Sequence, residues 1–197
     1  MLDRRNSGFS LAELIVTMGL SVAIVAACLH FFTLLSVSLS ALSTQSLLQQ
    51  ELILISDIMG REIARAGYGH QSAPLSRLNS VSAFQQHWLI SAQEGEQPGS
   101  CLLYSVDINH NGIVDHVLPA EQLGFRLHDG SIEYRMGAGS CTSNGWQDLT
   151  DSRHIEIVSL AFTQLSANLL RVHLVATSAL APDQQTDVSR TLVMHNG

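Results

Sequence analysis

The stretch SGFSLAELIVTMGL, residues 7–20, places one carboxylate, that of Glu13, at the start of a long apolar run. The 22 residues of segment 14–35 contain no Asp, Glu, Lys or Arg. A helix of about 20 apolar residues is long enough to cross a bilayer. Because Arg4 and Arg5 precede the run, the positive-inside rule predicts a cytoplasmic N-terminus and an exported remainder.

Three ordinary kinds of apolar segment explain this pattern less well. A secretory signal has an apolar core of about 7–15 residues, and this run is longer. Cys28, preceded by VAA, resembles a lipoprotein cleavage box, but the run stays apolar beyond it. A plain signal anchor leaves Glu13 unexplained, because a carboxylate in a spanning segment is costly and usually marks function.

The sequence GFSLAE at residues 8–13, followed by an apolar run, resembles the processing signal of type IV prepilins and type II secretion pseudopilins. The resemblance implies a leader of residues 1–8, cleavage by a prepilin peptidase between Gly8 and Phe9, and N-methylation of Phe9. It also implies that Glu13 pairs with the new amine of a neighbouring subunit and so acts in assembly. The alternative is an ion pair within one subunit, between the Phe9 amine and Glu13, which lies one helical turn further along the chain.

A helical pattern continues beyond the apolar run. Residues 9–66 contain no proline, and apolar residues recur at steps of three and four. We therefore predict one helix over residues 9–66, with about 14–35 transmembrane and Gly67 as a left-handed cap. The apolar stripe of this helix, which must be buried against another part of the chain, consists of Leu48, Leu52, Ile55, Met59, Ile63 and Ala66.

From residue 67 the pattern changes to short runs that alternate in polarity, which is typical of strands. Asn111-Gly112 and Asp129-Gly130 are predicted to turn between such runs, the latter as a hairpin. The runs cover residues 87–90, 101–108, 112–118, 123–127, 131–136, 154–165, 169–180 and 189–195. The predicted fold class is α+β, a pilin fold in which the long N-terminal membrane-spanning helix packs on a mainly antiparallel sheet domain of residues 67–197.

Three cysteines are present. Cys101 and Cys141 both fall in the exported part, where the compartment is oxidising, so we predict that they form a disulfide. Cys28 lies in the predicted span, where a free thiol behaves as a small apolar side chain.

The sequence DINHNGIVD at residues 107–115 matches the front of a calcium loop, with glycine at the sixth position. Its twelfth position is Leu118 instead of a bidentate acid, so a complete helix–loop–helix site is excluded and affinity near the millimolar range is expected. The alternative is an Asn-Gly turn whose side chains bond their own backbone. Both interpretations stay open, and the candidate ligands are Asp107, Asn109, Asn111, the carbonyl of Ile113, and Asp115.

Composition argues against several other functions. The net charge of −7 arises from 17 acids and 10 bases, and the only basic cluster is Arg4-Arg5, so nucleic-acid binding is not expected. The nine histidines lack the spacing of zinc ligands. Since no nucleophile elbow, phosphate-binding loop or pair of catalytic acids stands out, we predict that the protein is not an enzyme. The calcium considered for residues 107–115 is the one cofactor that the sequence leaves open.

Segments 61–70, 105–115, 121–127 and 136–151 resemble those of minor pilins of the prepilin-peptidase-dependent protein B group, related to the J-type minor pseudopilins. The resemblance implies a low-copy inner-membrane subunit with a periplasmic domain. Its partners are then the prepilin peptidase, other minor pilins and the major pilin. The subunit would prime polymerisation of the major pilin and cap the pilus at its tip. The alternatives are a minor pseudopilin of type II secretion and a tip subunit that binds a surface or DNA.

Overall fold

The computed structural model describes residues 10–68, 84, 88–179 and 181–193. The predicted leader 1–8 and Phe9 lie outside these residues, and so does the predicted cleavage site. The chain divides into two units, which meet in sequence between Ser43 and Thr44.

One helix, α1, spans Leu11–Ile63 and supplies nearly all of the described first unit. Its segment Leu11–Ser36 has a mean hydropathy of 2.2 and is long and apolar enough to cross a membrane. None of its apolar window is buried inside the structure, so these side chains are free to face lipid or other helices. The segment fits a single-pass membrane anchor.

The C-terminal end of α1 is a tightened turn. The bonds from Arg65 N–H to the Glu62 carbonyl and from Ala66 N–H to the Ile63 carbonyl span three residues instead of four, so the α-helix ends at Ile63, three residues before the predicted end. Gly67 has a φ of 76° and takes the left-handed conformation predicted for it. Its N–H donates to the Ser105 carbonyl, which ties the end of the helix to the sheet domain.

The second unit contains two antiparallel sheets. Sheet A has the order β1 (Trp88–Ser91), β2 (Cys101–Ser105), β3 (Gln122–His128), β4 (Ser131–Met136) and β5 (Gln147–Asp148). Sheet B has the order β6 (Ile155–Ser166), β7 (Leu169–Ser178) and β8 (Ala181–Val193). Within each sheet every strand pairs antiparallel with its sequence neighbour, so both sheets are meanders and the predicted mainly antiparallel domain is confirmed.

The β3–β4 connection is the predicted two-residue hairpin. Asp129 and Gly130 have φ angles of 47° and 73°, the pair of positive values that a type I′ turn needs. His128 pairs directly with Ser131 across the turn. An Asp-Gly sequence favours this geometry because both residues tolerate positive φ.

The core of the second unit lies between α1 and the two sheets. All six residues of the predicted stripe are at most 5% exposed; five of them lie in α1, and Ala66 lies just past its end. Strand β7 alternates buried and partly exposed positions with period two, as a strand packed on one face does. One continuous hydrophobic cluster joins α1 to Leu102, Phe125, Ile132, Leu160, Phe162, Leu170, Val172 and Leu174.

Strand β8 approaches α1 at Gly60. A Cβ on this glycine would lie 3.1 Å from Leu192 Cδ2 and 3.3 Å from Arg190 Nε. Arg190 forms an ion pair with Asp57 of α1. Glycine at this position therefore lets the last strand pack closely on the helix.

The predicted strand over residues 112–118 is wrong. The whole connection between β2 and β3, residues 106–121 (the β2–β3 loop), contains no strand. Side-chain oxygens of Asp107 and Glu121 accept the backbone N–H groups that a partner strand would otherwise accept. Asx residues compete with sheet ladders in this way, and periodicity alone does not reveal the competition.

Cys101 on β2 is joined to Cys141 in the β4–β5 connection, with a Cα–Cα distance of 6.1 Å. Arg135 of β4 holds the same connection through four hydrogen bonds. Its guanidinium donates to Ala138 O (2.7 Å), Ser140 O (3.1 Å), Ser143 Oγ (2.6 Å) and Asn144 O (3.3 Å).

Two guanidinium groups lie over the ring of Trp146, the last residue of the β4–β5 connection. Arg126 and Arg135 lie 4.7 and 5.2 Å from the centre of the Trp146 ring, within cation–π range. Arg126 is neutralised by Glu133 at 2.5 Å, and it also donates to the Cys141 carbonyl. Burial lowers the pKa of Arg135, and the charge of Arg126 lowers it further.

Candidate functional site

The described part of the predicted assembly site begins at Ser10. The Ser10 N–H donates to Glu13 Oε2 at 3.0 Å, and the Leu14 N–H donates to the Ser10 carbonyl at 3.2 Å. Ser10 is therefore the N-cap of α1, and Glu13 closes one half of a capping box. The pattern Ser-x-x-Glu before an apolar run is the signal that could have revealed this role of Glu13 from the sequence.

The capping bond occupies one of the two oxygens of the Glu13 carboxylate, which can accept further donors. A negative charge in the first turn of a helix is favoured by the helix dipole. The side chain is exposed on the helix surface. Its geometry is thus compatible with an ion pair to an amine that precedes Ser10, although Phe9 and Gly8 lie outside the described residues.

The hydroxyl groups of the apolar segment are satisfied within the helix. Each donates to a backbone carbonyl three or four residues earlier, an arrangement that suits a helix in lipid because no polar group there can bond to water. The donors are Thr17, Ser21, Thr33 and Ser36. Within Leu11–Ser36, Glu13 is the only residue among Asp, Glu, Lys and Arg.

The second candidate site is the β2–β3 loop. Its ends are tied by the Val106 N–H, which donates to the Glu121 carbonyl at 3.0 Å. The Asp107 N–H donates to the Tyr68 carbonyl at 2.8 Å, just beyond the end of α1. The loop is therefore anchored to the rest of the second unit at its base.

Three predicted calcium ligands bond the loop's own backbone. Asp107 accepts the N–H groups of Asn111 and Gly112 at 3.1 and 3.0 Å. The Asn109 side-chain oxygen accepts the Asn111 N–H, and the Asn111 side-chain oxygen accepts the Ile113 N–H. These are the Asx bonds of the turn interpretation.

Asp115 is brought to the same place as the two asparagines. Its Oδ2 accepts the amide nitrogens of Asn109 and Asn111 at 2.6 and 2.9 Å. The structure thus gathers the predicted ligand side chains, but both amides turn their nitrogens toward the carboxylate, and a cation would need their oxygens. Among the described residues, no group of three His, Cys, Asp or Glu residues is placed to hold a metal ion.

Glu121 is a site residue that sequence reasoning missed. It is fully buried, and its carboxylate accepts the N–H groups of Ile108 (2.7 Å), Asn109 (3.2 Å) and Asp115 (3.0 Å). It therefore organises the backbone of the loop, including that of the candidate ligands Asn109 and Asp115. Glu121 lies beyond the calcium motif, so no local pattern marks it.

Comparisons with known proteins agree along nearly the full chain. A family model described as prepilin peptidase-dependent protein B matches residues 41–194. The Escherichia coli K12 protein of that name is 27% identical over 199 residues, which cover 98% of this chain and 98% of the relative. An uncharacterized protein of Haemophilus influenzae is 24% identical over 190 residues, covering 76% of this chain and 79% of the relative. No solved structure gives a significant match.

Proposed function

The chain belongs to the prepilin peptidase-dependent protein B family, and from this membership we propose that it is a minor pilin. In this proposal it is a low-copy, non-enzymatic subunit that joins other minor pilins in the inner membrane. The complex primes polymerisation of the major pilin of a type IV pilus, and the subunit caps the tip.

One observation carries the proposal: the Glu13 carboxylate lies in the first turn of a helix whose next 22 residues are uncharged. Such a charge is costly in lipid unless a group of opposite charge meets it. The E. coli relative is named as dependent on prepilin peptidase, and the alignment to it covers nearly the whole chain. This supports extending the family's processing to residues 8 and 9.

In the proposed mechanism the peptidase cuts between Gly8 and Phe9 and methylates the amine of Phe9. Arg4 and Arg5 keep the leader cytoplasmic, so the sheet domain faces the periplasm. The Phe9 amine then pairs with Glu13 of an adjoining subunit. An ion pair in lipid sets the register of two helices because neither charge can be left alone at low cost.

The test combines gene deletion with purification of the membrane form. Deletion is expected to abolish filaments, and the tagged full-length protein is expected to retain other pilins in detergent. Gly8→Val is expected to leave the uncut precursor in the membrane, whereas Ser7→Ala serves as the matched control and is processed normally. A mature N-terminus at Phe9 in the Gly8→Val variant would contradict the cleavage site.

Other outcomes of the deletion separate the alternatives. Normal filaments with lost adhesion or DNA uptake indicate a tip-binding subunit. Normal filaments with lost protein export indicate a minor pseudopilin of type II secretion. Either result rejects the priming role.

A further inference from the structure

The β2–β3 loop displays aliphatic side chains to solvent. Val117 and Leu118 are 80% and 94% exposed, and Ile113 is 64% exposed. In the described part of the second unit, these are the three most exposed large hydrophobic side chains. Single exposed aliphatic residues are common on protein surfaces, but here the three side chains with the largest exposed fractions fall within six consecutive residues.

Two buried carboxylates tie the backbone of the loop that carries them. The Asp107 and Glu121 side chains are 1% and 0% exposed, and together they accept five backbone N–H groups of the loop. Buried carboxylates need such donors, so the loop cannot open without leaving them unsatisfied. The aliphatic residues are thus presented on a pre-organised support, which lowers the entropy cost of binding.

The length of the connection also indicates a function. It has 16 residues and no helix or strand, whereas structureless connections beyond about 12–15 residues are uncommon in compact domains and are usually functional. Its ends meet through the bond between Val106 and Glu121, as in an Ω-loop.

The charge of the loop restricts the partner. Residues 106–121 contain no arginine or lysine, and of their three carboxylates only that of Asp115, next to the exposed His116, reaches the surface because Asp107 and Glu121 are buried. Apolar segments that insert into anionic membranes carry basic residues beside them, so a lipid surface is disfavoured. Because Asp115 is partly exposed beside the aliphatic residues, a protein groove with an apolar floor and basic rim is complementary.

We propose that residues 113–118 form an interface anchor that inserts into an apolar, basic-rimmed groove on the sheet domain of a different pilin subunit. This inference rests on the proposed function and adds the surface through which the subunit chooses its neighbour. Val117 and Leu118 supply the buried contact, and Glu121 holds the backbone beside them through the Asp115 N–H.

The experiment uses the full-length protein, co-expressed with the other pilins of its host and purified in detergent. The test variant is Val117→Ser with Leu118→Ser. The matched control is Val158→Ser with Leu165→Ser, a valine and a leucine of β6 that are also exposed. The test variant is expected to lower pilin recovery at least about tenfold, because two buried aliphatic contacts are lost, while its own membrane level and melting temperature stay at the wild-type values.

A photoreactive amino acid at position 117, compared with position 158, identifies what touches the loop. A crosslink from position 117 to another pilin supports the proposal. If wild-type protein retains pilins and the Val117→Ser, Leu118→Ser variant retains them equally, the interface anchor is rejected and the proposed function stands. Crosslinks to lipid or to a second copy of this chain reject the stated partner. If wild-type protein retains no pilin, the proposed function and the anchor both fail.

Discussion

At the scale of single residues, the Glu13 carboxylate has an observed capping role and a proposed assembly role, which differ in what they require. Capping of α1 needs an acceptor for the Ser10 N–H, which the structure places 3.0 Å from Glu13 Oε2. Assembly by an ion pair needs a negative charge. The two requirements are separable because glutamine is also an acceptor in a capping box.

We predict that Glu13→Gln and Glu13→Val are both cleaved normally and both weaken recruitment into the minor-pilin complex by several-fold. Glutamine keeps the cap and removes the charge, so equal defects in the two variants identify the charge as the assembly determinant. Recovery of partner pilins and filament counts measure the effect. Wild-type filament counts for Glu13→Gln would leave Glu13 with a capping role alone.

The side chains of the β2–β3 loop give a second prediction at the residue scale. If Asn109 and Asn111 turn their amide oxygens inward, they can join Asp107, Asp115 and the Ile113 carbonyl around a calcium ion. The expected Kd is on the order of millimolar, as for extracellular modules. Calcium at about ten times the Kd then stabilises by about 1.4 kcal/mol and raises the melting temperature by about 3–5 °C.

The measurement is thermal unfolding of the full-length protein in detergent with added calcium chloride, and magnesium chloride at equal ionic strength is the control. Asp115→Asn is expected to remove the shift. No shift in the wild-type protein at on the order of 10 mM calcium, about ten times the expected Kd, would leave only the turn interpretation.

At the scale of elements, the β4–β5 connection depends on one side chain from the preceding strand. Arg135 bonds four groups of this connection, and Arg126 bonds the Cys141 carbonyl within it. Close packing of Trp146 on β3 needs Gly124, where a Cβ would lie 3.0 Å from the ring and 2.8 Å from the Leu102 carbonyl. The conformation of the β4–β5 connection therefore depends on side chains of β3 and β4, because the connection has little regular structure of its own.

We predict that Arg135→Lys lowers the free energy of unfolding by about 2 kcal/mol, because an ammonium cannot reach the four acceptors that the planar guanidinium bonds. The melting temperature should fall by about 4–8 °C. Thermal unfolding of the full-length protein in detergent measures the change. Arg171→Lys, at an exposed position of β7, is the matched control, and an equal effect of the two substitutions would refute this role of the Arg135 hydrogen bonds.

At the scale of the whole molecule, the disulfide links parts of the second unit that lie 40 residues apart in sequence. It connects the second strand of sheet A to the β4–β5 connection and so encloses the β2–β3 loop and the β3–β4 hairpin. Cross-linking a loop of this length mainly restricts the unfolded chain.

We predict that Cys101→Ser with Cys141→Ser lowers the free energy of unfolding by about 4 kcal/mol and the melting temperature by about 8–16 °C. Cys28→Ser, at the exposed free cysteine of α1, is the control and should melt as the wild type does. A melting temperature within about 3 °C of wild type for the double variant would show that the cross-link contributes little.

Much of the architecture could be predicted from local patterns. The apolar run and the stripe from Leu48 to Ile63 predict α1, because helix periodicity and lipid solvation act on neighbouring residues. The Asp129-Gly130 turn is likewise a local matter of allowed φ angles. The positions of α1, of the β3–β4 hairpin and of most strands therefore follow from the order of the residues.

Only the tertiary structure decided the conformation of the β2–β3 loop and the packing of Arg126 and Arg135 on Trp146. Alternation in residues 112–118 predicts a strand, but Glu121 folds back and accepts N–H groups from residues up to 13 positions away in the chain. Arg126 and Arg135 likewise act on residues that neighbour them only in space. The hydrogen-bonding partners of a buried charged side chain are the groups that the fold places next to it, so its role cannot be predicted from a local sequence pattern.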